Sequence, residues 1–570
     1  MYQTPVQDYE FHLDKIIDGQ QLLDTVGPED TKLADISEIL SHAGEFSTAV
    51  IHPLNVIGDR AGVSLEDGRV TSAPGYVEAY RDFVGAGWLS VGVPEDVGGD
   101  GMPHIVTNAL DELWAAGSPA FNLCTGLTVA AAQAILTSGD DEIRRQFLPP
   151  LVSGRWTGTM NLTEPQAGTD LAAIRSIARP NPDGTWAVKG QKIFITWGDH
   201  DVAENIVHLV LARTPDAPDG LAGLSLFVVP KFLSHPDGTL GERNAVKTLA
   251  LEHKLGLHGS PTCVLEYENA TGFLLGALHR GLEGMFVMMN ISRIGIGVQS
   301  LGVADRAYQM ARDYAQERVQ GRVVGRTDSG PIAEHPDVAR LLLSMASTIS
   351  GMRALSVQAS AWIDLSGSSA AARKLADFFS PIVKGWFSES AVQITSDAIQ
   401  VYGGSGFIEE SGIAQYYRDS RILPIYEGTT AVQANDLVGR KILRDKGVVA
   451  LSVLDRISDE LPFLRAADHP VAARTADRLE RAVNAARSAI DLLLARAADA
   501  PRDVYAASVP VLLMWGLLGA GWMHARILLA ALDVDDEHTP RRVREADFFG
   551  AHHLSRIASL LEAVEAGEIR

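Results

Sequence analysis

One stretch of strand-like sequence, residues 156–276, set between two long helical stretches, most constrains what this chain can fold into. Within it, Trp186-Ala187-Val188, Lys192-Ile193-Phe194-Ile195-Thr196, Ile206 to Leu211, Leu224 to Val229 and Thr262 to Tyr267 are short runs with β-branched or aromatic character. Turn residues separate them: Asn181-Pro182-Asp183-Gly184, Pro215 to Gly220, His235-Pro236-Asp237-Gly238 and Asn269 to Gly272. β-Branched and aromatic side chains fit a pleated surface, while Gly, Pro, Asn and Asp supply turn backbone. Upstream, an Ala-rich run at 126–137 reads as helix, and Leu89 to Gly101 reads as a Gly-rich loop. Downstream, Ile294, Val298, Leu301, Asp305, Tyr308, Arg312 and Ala315 mark a long helix whose other side carries Arg306, Asp313 and Glu317. Val383, Phe387, Ala391, Ile394, Ala398 and Val401 trace a second apolar face that stops at Gly403-Gly404, as a helix C-terminus should. From about 446 the chain is rich in Ala, Leu and Arg, again helical. The expectation is an α+β protein: an N-terminal α domain (1–155), a central β domain (156–276), a helical bundle (277–445) and an additional α domain (446–570). Several domains suit 570 residues, because single cores stop growing at roughly 250–300.

Charge and composition exclude several function classes. A net charge of −22 repels phosphate, which argues against nucleic acid or an anionic membrane as partner. Two cysteines, Cys124 and Cys263, make neither a disulfide framework nor a four-thiolate metal site, and point to a reducing cytoplasm. The N-terminus lacks the basic and apolar regions of a secretory signal. Val509 to Met523 is long for a strand and short for a membrane span, so a buried helix is expected. Gly295-Ile296-Gly297 lies inside a helical pattern and Gly403-Gly404-Ser405-Gly406 follows a helix, whereas a dinucleotide loop needs a strand before it. Asp199-His200-Asp201 is a poor metal set, and no metal is expected.

Ile425-Tyr426-Glu427-Gly428-Thr429-Thr430 places one carboxylate in an apolar, turn-forming run with no basic residue within five positions. Desolvation disfavours the charged carboxylate, raising its pKa and making it a better proton acceptor near neutral pH. Three more stretches precede it in order: Met160 to Asp170 (MNLTEPQAGTD), Lys192 to Thr196, and Gln400 to Phe407 (QVYGGSGF), with Arg418-Asp419 leading into the Glu427 run.

Together these four stretches resemble the acyl-CoA dehydrogenase family, flavoenzymes that introduce a 2,3-double bond into acyl-CoA thioesters, over roughly residues 60–445. The opening Met-Tyr-Gln-x-Pro, the run Leu251 to Ser260 and the C-terminal extension resemble the family's long subgroup, which suggests short, medium or sulfur-containing acyl chains. The resemblance implies FAD as cofactor, acyl-CoA as substrate, an acceptor such as an electron-transfer flavoprotein, and a homodimer or larger oligomer. It implies that Glu427 is the catalytic base. It implies cofactor contacts at Met160, Leu162, Thr163, Thr169, Phe194, Ile195, Thr196, Arg318, Gln320, Gln400, Gly403, Gly404 and Thr429. Arg318, Gln400, Gly403 and Gly404 would serve a neighbouring protomer. Substrate contacts are implied at Thr169, Asn290, Arg293 and Gly428. Some relatives carry the base beside the arginine equivalent to Arg293; here Ser292 and Asn290 stand there, leaving Glu427 as the candidate. Glu164, Pro165 and Asp170 are expected to be turn and capping structure. The chain departs from the family at Arg318-Val319-Gln320-Gly321-Arg322, where Arg-x-x-Phe-Gly is usual, and at Ala431, where many relatives have a polar residue. An oxidase releasing peroxide and a redox-neutral lyase-like relative are the alternatives on this scaffold.

Overall fold

The computed structural model describes residues 2–235 and 238–568, so part of the expected turn at His235 to Gly238 lies outside the described residues. The chain divides into two compact units, one of residues 1–44, 103–116 and 296–570, the other of residues 45–102 and 117–295.

In the second unit the central sheet has seven strands. Thr262–Leu275 is its hub. It pairs antiparallel with Trp186–Thr196, with Val246–Leu251 and, through Phe273 to Leu275, with Leu224–Pro230. Asn205–Arg213 pairs antiparallel with Leu224–Pro230 and parallel with Trp156–Asn161. All but its final residue are buried, because each face of this strand meets a core. Val207, Leu209 and Leu211 face one hydrophobic cluster, with Phe147, Leu151 and Trp156; Val210 and Ala212 face another, with Val188, Phe227 and Leu265. The period-2 alternation of a strand thus serves both cores at once. Two expected runs, 186–188 and 192–196, join into one eleven-residue strand. Ile177–Pro180 and Val246–Leu251 are strands the sequence reading missed.

The Ala-rich run belongs to the helix Pro119–Ser138, which Ser118 caps by accepting from the Phe121 N–H at 3.4 Å. Asp140 caps the next, Asp141–Val152, accepting from Glu142 and Ile143. Such caps satisfy N–H groups that have no partner inside the helix.

The first unit is helical. Pro336–Asp364, Ala370–Tyr402 and Ser508–Val534 pack on one another, with close approach bought by glycine: a Cβ on Gly516 would sit 2.0 Å from the Trp386 ring. The apolar run at Val509 is the core of the 27-residue helix Ser508–Val534, which runs on past His524 and Arg526. Among the described residues it is one of three helices long and apolar enough to cross a membrane, with Pro119–Ser138 and Gly281–Glu317; the apolar windows are 89%, 61% and 61% buried inside the protein. Helix packing therefore accounts for their apolarity.

Arg306, on the other side of the long helix, is buried and lies 5.7 Å from the Tyr2 ring. The helix Gly281–Glu317 is covered on that side too, because the N-terminal segment returns to it: Tyr2 donates to Asp305 at 3.0 Å and the Gln3 N–H donates to Gln309.

Candidate active site

Glu427 sits in a turn between the helices Ile413–Ser420 and Thr430–Asp436, half-buried, in left-handed backbone with φ +54. Non-glycine residues enter that region at a cost, and persist there when the surroundings over-determine the turn. The surroundings do so here. The Thr430 N–H donates to the Pro424 carbonyl at 3.1 Å, and Gln433 Nε2 donates to the Glu427 carbonyl at 3.1 Å. Lys384 Nζ donates to the carbonyls of Leu423 at 2.9 Å and Gly428 at 2.6 Å. Gly428 has φ +93, and a Cβ there would meet Gln433 Nε2 at 2.7 Å, so glycine is required next to the carboxylate. Tyr426 donates its phenol to Gln299. Burial and the neighbouring Glu427 carboxylate raise the Tyr426 phenol pKa, which keeps it a donor.

The candidate cofactor residues of the second unit meet at the rim of the sheet. Met160 is the penultimate residue of the strand Trp156–Asn161, and Leu162 and Thr163 follow that strand. The Ile193 N–H donates to the Thr163 carbonyl at 2.9 Å, joining this segment to Lys192–Thr196. The pairing of Trp186–Thr196 with Thr262–Leu275 shifts between Ile195 and Lys192, where the first strand carries one extra residue. That bulge turns Phe194 out, 58% exposed with φ +59. Bulges re-aim side chains in this way. An exposed ring held in strained backbone fits a planar aromatic ligand; half-buried Thr196 lies two residues on, and half-buried Thr163 is joined to the run through Ile193.

A buried ion pair braces this rim. Lys192 Nζ donates to the Leu162 carbonyl and to Glu164 Oε1, both at 2.9 Å. Glu164 also accepts from the N–H groups of Arg175 and Ser176 and from Gln166. Against its burial, the Lys192 ammonium and these donors hold the Glu164 carboxyl at about 2. Burial brings the Lys192 ammonium down to about 8, leaving it charged at neutral pH. Glu164 is therefore structural, and Asp170 caps a short helix by accepting from the Ala172 N–H at 3.0 Å.

Arg318, Gln320, Gln400, Gly403 and Gly404 are exposed. Tyr314 stacks on Tyr402 with centroids 4.1 Å apart, which sets the C-terminal ends of Gly281–Glu317 and Ala370–Tyr402 side by side. Arg318 Nη2 donates to Gln320 Oε1 at 3.3 Å. A Cβ on Gly403 or Gly404 would meet nothing within 4 Å, so this backbone is open to approach, whereas one on Gly406 would sit 2.4 Å from the Ile399 carbonyl oxygen. Open backbone beside an arginine fork suits a phosphate-bearing ligand.

Four implied contacts are narrowed. The Ile195 side chain is 2% exposed in the sheet core, so only its backbone can reach a ligand. The Thr429 hydroxyl caps Thr430–Asp436 by accepting from the Val432 N–H at 3.3 Å. Met160 and Leu162 pack partly against the sheet core. Thr169 and Asn290 are exposed and Arg293 is 8% exposed. Asp199, His200 and Asp201 are engaged elsewhere: Asp199 with Lys231 and Thr248, His200 with Thr157, Asp201 with the Ser72 N–H. Lys384, Gln433 and Gln299 had no role in the sequence reading. Their signal was a lysine inside an apolar helical run, between Val383 and Trp386.

Residues 65–155, 159–270 and 279–442 match the N-terminal, middle and C-terminal domains of acyl-CoA dehydrogenases. Residues 453–569 match a domain described as acetyl-CoA dehydrogenase C-terminal like. The chain belongs to the acyl-CoA dehydrogenase family and is an oxidoreductase of that class. Among its relatives, the 3-methylmercaptopropionyl-CoA dehydrogenase of Ruegeria pomeroyi is 46% identical over 96% of this chain and 95% of its own. A butyryl-CoA dehydrogenase of Syntrophomonas wolfei is 36% identical over 86% of this chain and 83% of its own. The fold is shared with an acyl-CoA dehydrogenase complexed with FAD from Bacillus anthracis (TM-score 0.78, 23% identity, 95% of this chain and 90% of that one).

Proposed function

We propose that this protein is an FAD-dependent acyl-CoA dehydrogenase that introduces a 2,3-double bond into an acyl-CoA thioester, with Glu427 taking the α-proton. The observation that carries the reading is the half-buried Glu427 carboxylate, fixed in left-handed backbone by bonds on both sides of it. FAD, when bound, supplies the acceptor for the hydride that leaves the β-carbon. This chain's own residues bind, orient and deprotonate. Met160, Leu162, Thr163, Phe194, Thr196 and the Ile195 backbone hold the flavin ring. Arg318, Gln320, Gln400, Gly403 and Gly404 hold the phosphate and adenosine side of a cofactor bound mainly by another protomer, which makes the working form a homodimer or larger. The Glu427 backbone N–H polarises the thioester carbonyl, acidifying the α-C–H bond in the manner of an oxyanion hole. Gly428, Thr169, Asn290 and Arg293 line the acyl-CoA.

The substrate is a short or medium acyl-CoA, with 3-(methylthio)propanoyl-CoA the first candidate; the 46% identity to the Ruegeria relative supports this. Electrons pass to an electron-transfer flavoprotein in the cytoplasm, in keeping with two buried free thiols. Anaerobic titration of the purified yellow protein with a panel of acyl-CoAs tests the reading. Bleaching by 3-(methylthio)propanoyl-CoA or a C4–C8 chain is expected. A flavin that no acyl-CoA bleaches would overturn the reading, and peroxide released stoichiometrically in air would make oxygen the acceptor instead.

Lys192→Met should loosen the flavin rim. Glu164 keeps three other donors, so the expected loss of stability is about 1–3 kcal/mol rather than that of a bare buried charge. Thermal unfolding and the flavin-to-protein absorbance ratio after gel filtration should both fall.

A further inference from the structure

We propose that Lys384 is a positioning residue for proton abstraction: it holds both flanks of the turn that carries Glu427 and so sets where the carboxylate stands. The inference rests on the assignment of Glu427 as base made above. Lys384 lies in the interior of the helix Ala370–Tyr402, with no exposed surface. Its ammonium donates to the Leu423 carbonyl, four residues before Glu427, and to the Gly428 carbonyl, one residue after it. A buried ammonium is costly unless such acceptors surround it, so the helix and the turn lock each other.

The support behind the lysine is also built. Gly385, the next residue, is closed in: a Cβ there would meet Leu512 Cδ2 at 2.5 Å and Gln433 Cβ at 3.4 Å. Leu512 belongs to the C-terminal extension, which therefore backs the helix at the point where Lys384 leaves it. Ser508 of the same extension donates to Asn435, in the helix that follows Glu427, at 2.9 Å. Gln433, itself fully buried, completes the clamp by donating to the Glu427 carbonyl. Successive carbonyls at Glu427 and Gly428 are thus each held by a buried side chain. The φ of +54 at Glu427 has no glycine to relax through, so its persistence depends on these bonds.

Methionine at 384 fills the lysine's volume and gives up both bonds. In the flavin-loaded holoenzyme, Lys384→Met should slow anaerobic flavin reduction at saturating acyl-CoA by roughly 10–100-fold, the scale set by a misplacement of about 1 Å. The half-saturating acyl-CoA concentration should change by less than about threefold, since the effect falls on the proton transfer. Exchange of the α-hydrogens of acetyl-CoA in D2O, which needs the base but has no β-carbon to oxidise, should slow by a similar factor. The pH profile of reduction should shift as well. Native reduction and exchange rates in a folded, flavin-loaded Lys384→Met protein would overturn the inference. Should that variant fail to fold, Gln433→Leu removes only the bond to the Glu427 carbonyl and should slow both rates by roughly 3–10-fold; unchanged rates there overturn it equally. A dead Glu427→Gln beside a native Lys384→Met overturns this inference alone. A native Glu427→Gln overturns the base assignment and this inference with it.

Discussion

Glu427→Gln should bind FAD normally and yet reduce it roughly 10²–10⁴-fold more slowly on adding acyl-CoA, the range that a positioned general base contributes. The amide matches the carboxylate in size but has no basic oxygen for the α-proton. The turn should survive the change, because its bonds run through backbone carbonyls: Gln433 to Glu427, Lys384 to Leu423 and Gly428, and the Thr430 N–H to Pro424. Backbone strain is unchanged as well, since Gln and Glu meet the same obstacle at φ +54. Anaerobic stopped-flow absorbance at the flavin band measures the rate, and the flavin-to-protein ratio checks that the cofactor stays. A near-native rate in a fully loaded variant would move the base to another residue.

Arg353→Met is expected to destabilise the helical unit by about 3–5 kcal/mol, the cost of breaking a buried charge network by removing one partner. Arg353 is 3% exposed and its guanidinium reaches three carboxylates: Glu112 at 2.6 Å, Asp305 at 3.3 Å and Asp8 at 3.4 Å. Tyr9 donates to Glu112 and Tyr2 to Asp305, so the N-terminal segment is fastened through the same cluster. Arg541 pairs with Asp8 and lies 3.6 Å from Glu545. Without Arg353, Glu112 and Asp305 lose their nearest cation and keep only neutral donors among the bonds described. Burial already raises the Glu112 carboxyl in the intact protein. Its loss of a cation raises it further, so the variant takes up protons on folding and its deficit should be larger at pH 8 than at pH 5.5.

The intact cluster carries two opposing pH dependences. Glu545 is pushed by burial from its ordinary 4.5 to about 7, so folding protonates it and its contribution declines as the pH rises from about 4.5 to 7. Asp8 goes the other way. Against its burial, Arg541 and Arg353 hold it at about 2, so its contribution is present above about 4 and is lost as the pH falls towards 2. Urea unfolding across this range, in the native protein and the variant, measures both slopes.

The α-then-β-then-α order was legible because helix and strand write different periods into the chain. Ile206 to Leu211 reads as a strand from its β-branched character and the turn residues that bound it, whereas the division of Val207, Leu209 and Leu211 from Val210 and Ala212 between two cores is tertiary. Glu427 was singled out because its apolar turn, with a following glycine and no nearby cation, comes in order after three other stretches that resemble the family; that setting alone reads equally as a surface turn. What covers Arg306 was not legible. Its place on the helix is periodic, but what covers that face is Tyr2, some three hundred residues away in sequence. That the Ile195 side chain faces the core was not legible, because a one-residue bulge at Phe194 resets which residues of the strand face inward. A bulge depends on the partner strand, and no pattern within Lys192 to Thr196 announces it.

By itself, then, the sequence determined the α-then-β-then-α order, the family and the carboxylate proposed as the base, because each is written in short-range pattern. Only the tertiary structure decided how that carboxylate is held, through Lys384, Gln433 and Leu512 converging from distant segments. Buried charges find their partners through packing, and packing brings together residues whose separation along the chain carries no signal.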